Sequence, residues 1–304
     1  MLKNLFQFVI FPGFLFTAVF GLAACWVDRK VTARIQWRVG PPWYQPLIDL
    51  VKLSIKEITV PRPASKGLFF LSPLIGLSAV TLVSTLVWLV NIGPASKGFS
   101  GDIIVIMYLL TLPAIAVILG ASASGNPLAS LGASREIKLV MAYELPFIIC
   151  LIVPVIKSHG LLRLSEIINY QTVNGSFAAS LSGIIAFIVM IFCMQAKLGL
   201  VPFDASEAET EIMGGVLIEY SGMLLAIFKL TKTMLMVTLP LFLITLFWQG
   251  FNFLSIWKYV ILLVIIVLIR NTNPRVRIDQ AVRFFWGKMT LMAVMAVLLA
   301  ILGK

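Results

Sequence analysis

Apolar residues in this chain run in long blocks instead of alternating, and the blocks have the length of a bilayer crossing. A span needs about 20 predominantly apolar residues to cross a hydrocarbon core of about 30 Å. Seven runs meet that requirement: Asn4–Trp26, Leu68–Val90, Asp102–Ala121, Glu136–Ile156, Ala178–Leu198, Phe253–Arg270 and Phe285–Gly303. The stretch Ile212–Phe247 is longer than one crossing requires, and it holds neither a Gly/Pro turn pair nor a polar loop able to reverse the chain. It reads as one long, tilted helix and brings the count to eight spans. The expected fold is all-α: a polytopic membrane protein forming a single integral membrane domain over residues 1–304, with about eight transmembrane helices. Between the first two spans, Trp43–Ile58 places Leu47, Leu50, Val51 and Ile55 at helical spacing. That is the pattern of an amphipathic helix on the membrane or against a partner, and a partner-free surface helix satisfies it equally.

Composition supports the same class. Hydrophobic residues make up 60% of the chain and charged ones 12%, against roughly 25% charged in a soluble domain. The net charge of +11 does not point to nucleic acid, because the basic residues gather at the ends of apolar runs. Of the 24, sixteen fall beside the connections after spans 1, 3, 5 and 7 (eight from Arg29 to Lys66, then Arg135, Lys138, Lys197, and five from Arg270 to Lys288). Six fall on the other side (Lys3, Lys97, Lys157, Arg163, Lys258, Lys304), and Lys229 and Lys232 lie within the long sixth helix. By the positive-inside rule the first set faces the cytoplasm and both termini face outward; the expected location is the plasma membrane. No cleavable signal peptide is evident, and the first apolar run reads as a retained span. Cys25, Cys150 and Cys193 each sit in an apolar run and read as packing residues, with neither a disulfide framework nor metal-ligand spacing. His159 is the sole histidine, which argues against a histidine-built metal site.

The acidic residues carry more information. Asp204, Glu207, Glu209 and Glu211 crowd the entrance to the sixth helix, Glu219 lies further along it, and Glu144 falls near the middle of the fourth span. If helical, Glu207 and Glu211 share a face as an i, i+4 pair, and like charges so placed repel. An unpaired charge at a span centre costs roughly 2.5–3.5 kcal/mol or more. Such carboxylates persist if they line water, exchange protons, or meet Lys and Arg. A proton-conducting file needs groups of this kind; pairing with Arg135, Lys229 or Lys232 merely to hold the bundle together explains them too. Lys229 and Lys232 either snorkel to the outer interface, about 25–30 Å along the sixth helix, or extend the charged file. There is no Gly-rich phosphate loop, Ser/His/Asp set or H-E-x-x-H motif. The chain supplies a pathway, a lever or a docking surface, and bond-breaking chemistry lies elsewhere.

Val201-Pro202-Phe203-Asp204, then Glu207-Ala208-Glu209-Thr210-Glu211, then Glu219-Tyr220-Ser221-Gly222-Met223 resembles the P-F-D-x-x-E-A-E-x-E…E-Y-S-G segment of NADH dehydrogenase subunit 1. That is a membrane subunit of respiratory complex I, called the H subunit in bacteria, and its family includes the corresponding subunit of membrane-bound nickel–iron hydrogenases. Asp28-Arg29-Lys30 through Gln36-Trp37-Arg38-Val39-Gly40-Pro41, Ala142-Tyr143-Glu144-Leu145-Pro146, and Pro274-Arg275-Val276-Arg277-Ile278-Asp279-Gln280 agree with it as well, so the resemblance spans nearly the whole chain. It implies an eight-helix subunit joining a peripheral redox arm to antiporter-like membrane subunits. By matching position, Glu144, Asp204, Glu207, Glu209, Glu211 and Glu219, with Lys229 and Lys232, are candidates for a proton or ion path. Arg29, Arg38, Asp49, Lys52, Arg135, Arg275, Arg277 and Asp279 are candidates for the interface with the redox arm. It further implies that this chain binds no cofactor, and that a nickel–iron centre and iron–sulfur clusters belong to peripheral hydrogenase-like large and small subunits.

Two departures separate branches of the family. Quinone-reducing members commonly read G-P-N-R-x-G and carry a longer loop before the amphipathic helix, whereas here Gly40-Pro41-Pro42-Trp43-Tyr44-Gln45-Pro46 is short and lacks Asn-Arg. Lys232 stands where complex I members tend to have a carboxylate. Both are similar to the hydrogenase-type branch, which passes electrons from ferredoxin to protons or, in a close relative, to sulfur compounds. A quinone-binding complex I subunit is the alternative. A stand-alone secondary transporter is a reading of another class, but no paired, interrupted helices in two related halves are visible. A passive anchor leaves the buried carboxylates unexplained. The cation finally moved is H⁺ or Na⁺.

Overall fold

The computed structural model describes residues 2–92, 98–249 and 255–303, and among these there is no β-strand. Lys97, Lys304 and the expected start of the seventh span at Phe253 lie outside the described residues, as does the side chain of Lys3. The helices are α1 (Leu2–Val9), α2 (Phe14–Ile35), α3 (Gln45–Ile55), α4 (Lys66–Ile92), α5 (Asp102–Leu109), α6 (Leu112–Ala123), α7 (Pro127–Lys157), α8 (Leu164–Asn174), α9 (Leu181–Lys197), α10 (Glu209–Ile212), α11 (Gly222–Phe247), α12 (Ser255–Thr272), α13 (Ile278–Arg283) and α14 (Thr290–Ile301). A π-helical segment, Phe284–Met289, joins α13 to α14 in one continuous rod. Seven helical stretches are long and apolar enough to cross a membrane, and α9, with 17 residues, is a shorter apolar eighth. At 1.5 Å per residue α9 measures about 26 Å, close to a hydrocarbon core. The all-α, eight-span plan stands, and α3 is the amphipathic helix expected in the first connection.

α11 forms the centre. Apart from Lys229, Lys232 and a few threonines it is apolar all round, as a helix surrounded by other helices is, and it packs on α2, α3, α4, α9 and α12. Gly21 allows α2 to lie against it, since a Cβ there would fall 2.7 Å from the Thr233 carbonyl oxygen. α7 starts where Asn126 accepts a hydrogen bond from the Leu128 N–H at 2.8 Å, with Pro127 in the first turn. That cap and proline fix the start nine residues before Glu136.

The long sixth helix is where the fold departs most from expectation. The stretch 212–247 is not continuous: α10 ends at Ile212, Gly214 and Gly215 take φ of +94° and +49°, and α11 begins only at Gly222. Glycine adopts that left-handed backbone without steric penalty, so the chain folds back through a short 3₁₀ turn, Gly215–Leu217, tucked against α7. α10 begins only at Glu209, so Glu207 lies outside it and does not share a helical face with Glu211. Lys229 and Lys232 sit about 10–15 Å into α11, beside the acidic segment and not at the far interface. The third span is likewise divided, into α5 and α6, near Pro113, which has no N–H to bond the carbonyl four residues back. The connection after the fourth span carries a further helix, α8, which hydropathy does not mark.

Candidate functional site

The segment between α9 and α10 is held at three points. Gln195 Nε2 donates to the Val201 carbonyl at 2.7 Å, the Val276 N–H donates to the Pro202 carbonyl at 3.1 Å, and Phe203 packs its ring on Phe284 and Phe285. With Phe203 buried, the next side chain turns the other way, and Asp204 meets Arg275 at 2.9 Å. Asp204 Oδ1 is buried without a hydrogen-bond partner among the described residues. Further along, Glu207 pairs with Lys232 of α11 at 2.7 Å, and Glu211 pairs with Arg135 of α7 at 2.5 Å. Arg135 also donates to the Ala205 carbonyl, at 3.2 Å, so α7 grips the acidic segment twice. Glu219 accepts a short hydrogen bond from Asn126, the same residue that caps α7. Glu209 is exposed and makes no ion pair among the described residues.

Glu144 is paired with Lys197, the last residue of α9. The Lys197 side chain is 2% exposed and that of Glu144 15%. The ammonium also lies 4.5 Å from the centre of the Phe147 ring and 5.0 Å from that of Tyr143, close enough for cation–π attraction. The expectation of Lys197 in a cytoplasmic connection does not hold; it is an interior residue whose charge answers Glu144. A further pair joins α2 to α12, the buried Asp28 to the half-buried Arg270 at 2.6 Å.

These groups surround one cavity of about 430 Å³ between α2, α6, α7, α9, α11 and α12. Its charged lining is Asp28, Arg29, Glu136, Glu207, Lys197, Lys229, Lys232 and Arg270. Of the candidate path residues, Glu207, Lys229 and Lys232 reach it directly and Glu144 through its partner Lys197. Asp204, Glu209, Glu211 and Glu219 stand outside its lining. Glu136 is buried next to Ser206; with Asp28, Lys197 and Arg270 it belongs to the site, although Asp28 stands out in the sequence only as part of the Asp28-Arg29-Lys30 match and the other three by neither spacing nor motif. The available clue was chemical: Glu144 inside a span needs a counter-charge, and Lys197 ends the neighbouring apolar run.

Of the candidate interface residues, Arg29 and Asp49 form an ion pair of 2.6 Å that ties α2 to α3. Burial pushes the Asp49 carboxyl up, but hydrogen bonds from Arg29 and Gln45 and the charges of Arg29 and Lys52 outweigh it and hold the group below its ordinary value. Arg38 and Arg270 border a second, shallower hollow beside Pro41. Lys52, Arg275, Arg277 and Asp279 are exposed, as are the aromatic side chains of Trp37 and Trp43 in the same connection as Arg38.

Seven helices long and apolar enough to cross a membrane, packed around a cavity lined by acidic and basic side chains, have the make-up of a polytopic membrane protein. The pattern of the NADH dehydrogenase family matches residues 7–301, and the chain belongs to that family. It is 32% identical over 293 residues to the H subunit of the NADH-quinone oxidoreductase of Dehalococcoides mccartyi (strain CBDB1), covering 91% of this chain and 80% of that one. With the corresponding NADH-quinone oxidoreductase subunit of Brevibacillus brevis it shares 29% identity over 96% of this chain and 91% of the relative. Among solved structures it resembles a chain of the membrane-bound sulfane sulfur reductase, an archaeal respiratory membrane complex. There the TM-score is 0.85 and the identity 28%, over 94% of this chain and 96% of that one. The chain is thus a membrane subunit of the complex I-like respiratory class.

Proposed function

We propose that this chain couples electron transfer in a peripheral arm to ion movement in neighbouring antiporter-like subunits, without itself holding a redox centre. One observation carries the reading: acid–base pairs Asp28–Arg270, Glu144–Lys197 and Glu207–Lys232 are gathered around a single interior cavity with Glu136. Fixed pairs of this kind respond to charge. A change of protonation or position at one alters the field felt by the next, with least screening at the buried Glu144–Lys197 pair and more at the half-buried Glu207–Lys232 pair. Glu219 and the Asp204–Glu211 segment continue the ionisable groups beyond the cavity. The end bearing Arg29, Arg38, Asp49, Lys52, Arg135, Arg275, Arg277 and Asp279 then faces the cytoplasm and receives the peripheral subunits. The nickel–iron or sulfur-reducing chemistry and the iron–sulfur clusters belong to those partners.

The short loop before α3 and the likeness to the sulfane sulfur reductase chain support a ferredoxin-dependent, hydrogenase-like or sulfur-reducing arm. A quinone-reducing arm is the second reading, favoured by the NADH-quinone oxidoreductase relatives and by a cavity large enough to admit a ring. Purifying the intact complex in mild detergent and supplying reduced ferredoxin separates the two. Hydrogen evolution or sulfur-compound reduction supports the first, and quinone reduction supports the second. A chain that purified alone and still moved ions would overturn both.

A further inference from the structure

Glu219 lies in the turn between the 3₁₀ segment and α11, and its carboxylate is met by Asn126 at the start of α7. The Asn126 amide makes two bonds at once. Its Oδ1 accepts from the Leu128 N–H at 2.8 Å, which caps α7. With the oxygen so committed, the amide can turn only its N–H to Glu219, and Nδ2 donates to Oε1. The chain on each side of this contact is held by the end of the first connection. Next to Glu219, the Thr59 N–H donates to Ser221 Oγ at 2.9 Å, and a Cβ on Gly222 would fall 2.6 Å from the Lys56 carbonyl oxygen. Next to Asn126, the Ser65 N–H donates to the Ala123 carbonyl at 2.9 Å. The Tyr220 hydroxyl lies 2.9 Å from Ser72 Oγ, and its ring stacks on Phe69. The backbones carrying Asn126 and Glu219 are thus tied to one stretch, residues 59–65.

We infer that Asn126 is the positioning residue of Glu219: with its oxygen committed to the α7 cap, it holds a fixed N–H donor against the carboxylate. The inference rests on the reading of Glu219 as part of the ion path, and adds what orients that group. A carboxylate can accept from this amide, whereas a carboxylic acid O–H aimed at it finds no acceptor. Aspartate at 126 inverts the contact. It caps a helix as well as asparagine does, but two carboxyl groups at hydrogen-bond distance hold a proton between them. The group at 219 is then locked into that shared proton while the start of α7 is kept. A role limited to capping makes the opposite demand, since Asn, Asp and Ser cap helices almost equally.

The test compares Asn126→Asp, Asn126→Ser and Glu219→Gln in the intact complex, reconstituted in sealed vesicles. Ion uptake per electron transferred, the thermal midpoint and the infrared carbonyl region are read for each. Asn126→Asp and Asn126→Ser should melt close to the wild type, because the cap is kept. Uptake per electron should fall about tenfold in Asn126→Asp, the weight of one hydrogen bond to a charged group. Asn126→Ser should also lose uptake, since serine caps but carries no amide for Glu219. Against the wild type, Asn126→Asp should gain the carbonyl band of a protonated carboxyl group, and Asn126→Asp/Glu219→Gln should lack it. Wild-type uptake in both Asn126 variants, with no new band, overturns the inference. Normal uptake in Glu219→Gln overturns instead the reading of Glu219 as part of the path, and the infrared band then decides alone whether Asn126 governs that carboxyl group. If Asn126→Asp fails to assemble, Asn126→Ser decides, and wild-type uptake in it refutes the inference.

Discussion

Replacing Glu144 by Gln keeps the shape of the side chain and removes its charge, which isolates the Lys197 ammonium in the interior. With the Lys197 side chain 2% exposed, bulk water has little access to take over as counter-ion, and the ammonium is left against the Tyr143 and Phe147 rings, with Glu136 and Glu207 elsewhere around the cavity. Breaking one side of a buried pair costs about 3–5 kcal/mol, whereas replacing both members by neutral groups of similar volume is often neutral or stabilising. Glu144→Gln and Lys197→Met should therefore each lower the thermal midpoint of the purified complex markedly, and the double variant should recover most of the loss. The coupling energy of that double-mutant cycle should reach several kcal/mol, with a sign that shows the singles to be worse than additive. Ion pumping separates the roles further. The double variant regains stability but has lost the ionisable pair, so it should remain unable to pump. A Glu144→Gln complex as stable as the wild type, or a stable double variant that pumps normally, would refute the reasoning.

The geometry sets three further expectations. Gly215→Ala places a side chain at φ +49° against the Ser206 carbonyl, so it should destabilise by about 1–2 kcal/mol or more and loosen the acidic segment from α7, read as faster amide exchange over residues 204–217. Glu209→Gln should change stability by no more than about 0.5 kcal/mol, because the side chain is exposed and unpaired among the described residues, whereas Glu211→Gln should cost more by releasing Arg135; thermal melts of the two variants compare them. Asp49 has its carboxyl held below the ordinary value, so the support it gives to α3 is fully present above the unfolded pKa, about 3.9, and is lost as pH falls through the lower folded value. Fluorescence of the tryptophans flanking α3 should be unchanged between pH 7 and pH 5 and shift only in stronger acid; a transition near pH 6 would contradict the assignment.

The spans were legible because the length of an apolar run and the thickness of a bilayer are the same physical quantity measured twice. α3 was legible for a similar reason, since Leu47, Val51 and Ile55 recur at the helical period. The break in the sixth helix was not, because glycine is common within membrane helices and Gly214-Gly215 inside an apolar stretch looks no different from a packing pair. Its left-handed backbone becomes visible only once the 3₁₀ turn is seen against α7. The acidic segment announced itself by its crowding, but its partners did not. Glu144 and Lys197 are 53 residues apart, and no local periodicity reports a pair at that separation. Lys197 at the end of an apolar run looked like an ordinary interfacial cation because the positive-inside rule accounts for such residues without asking what lies beside them.

Coupling of electron flow to ion movement through the paired interior charges is tested most directly in sealed vesicles. The complex is reconstituted, and electron transfer and ion uptake are recorded together for the wild type and for Glu144→Gln. The variant is expected to keep substantial electron transfer in the peripheral arm while ion uptake falls to background. Ion uptake at the wild-type ratio to electrons transferred would show instead that the pair around Glu144 is only a structural brace.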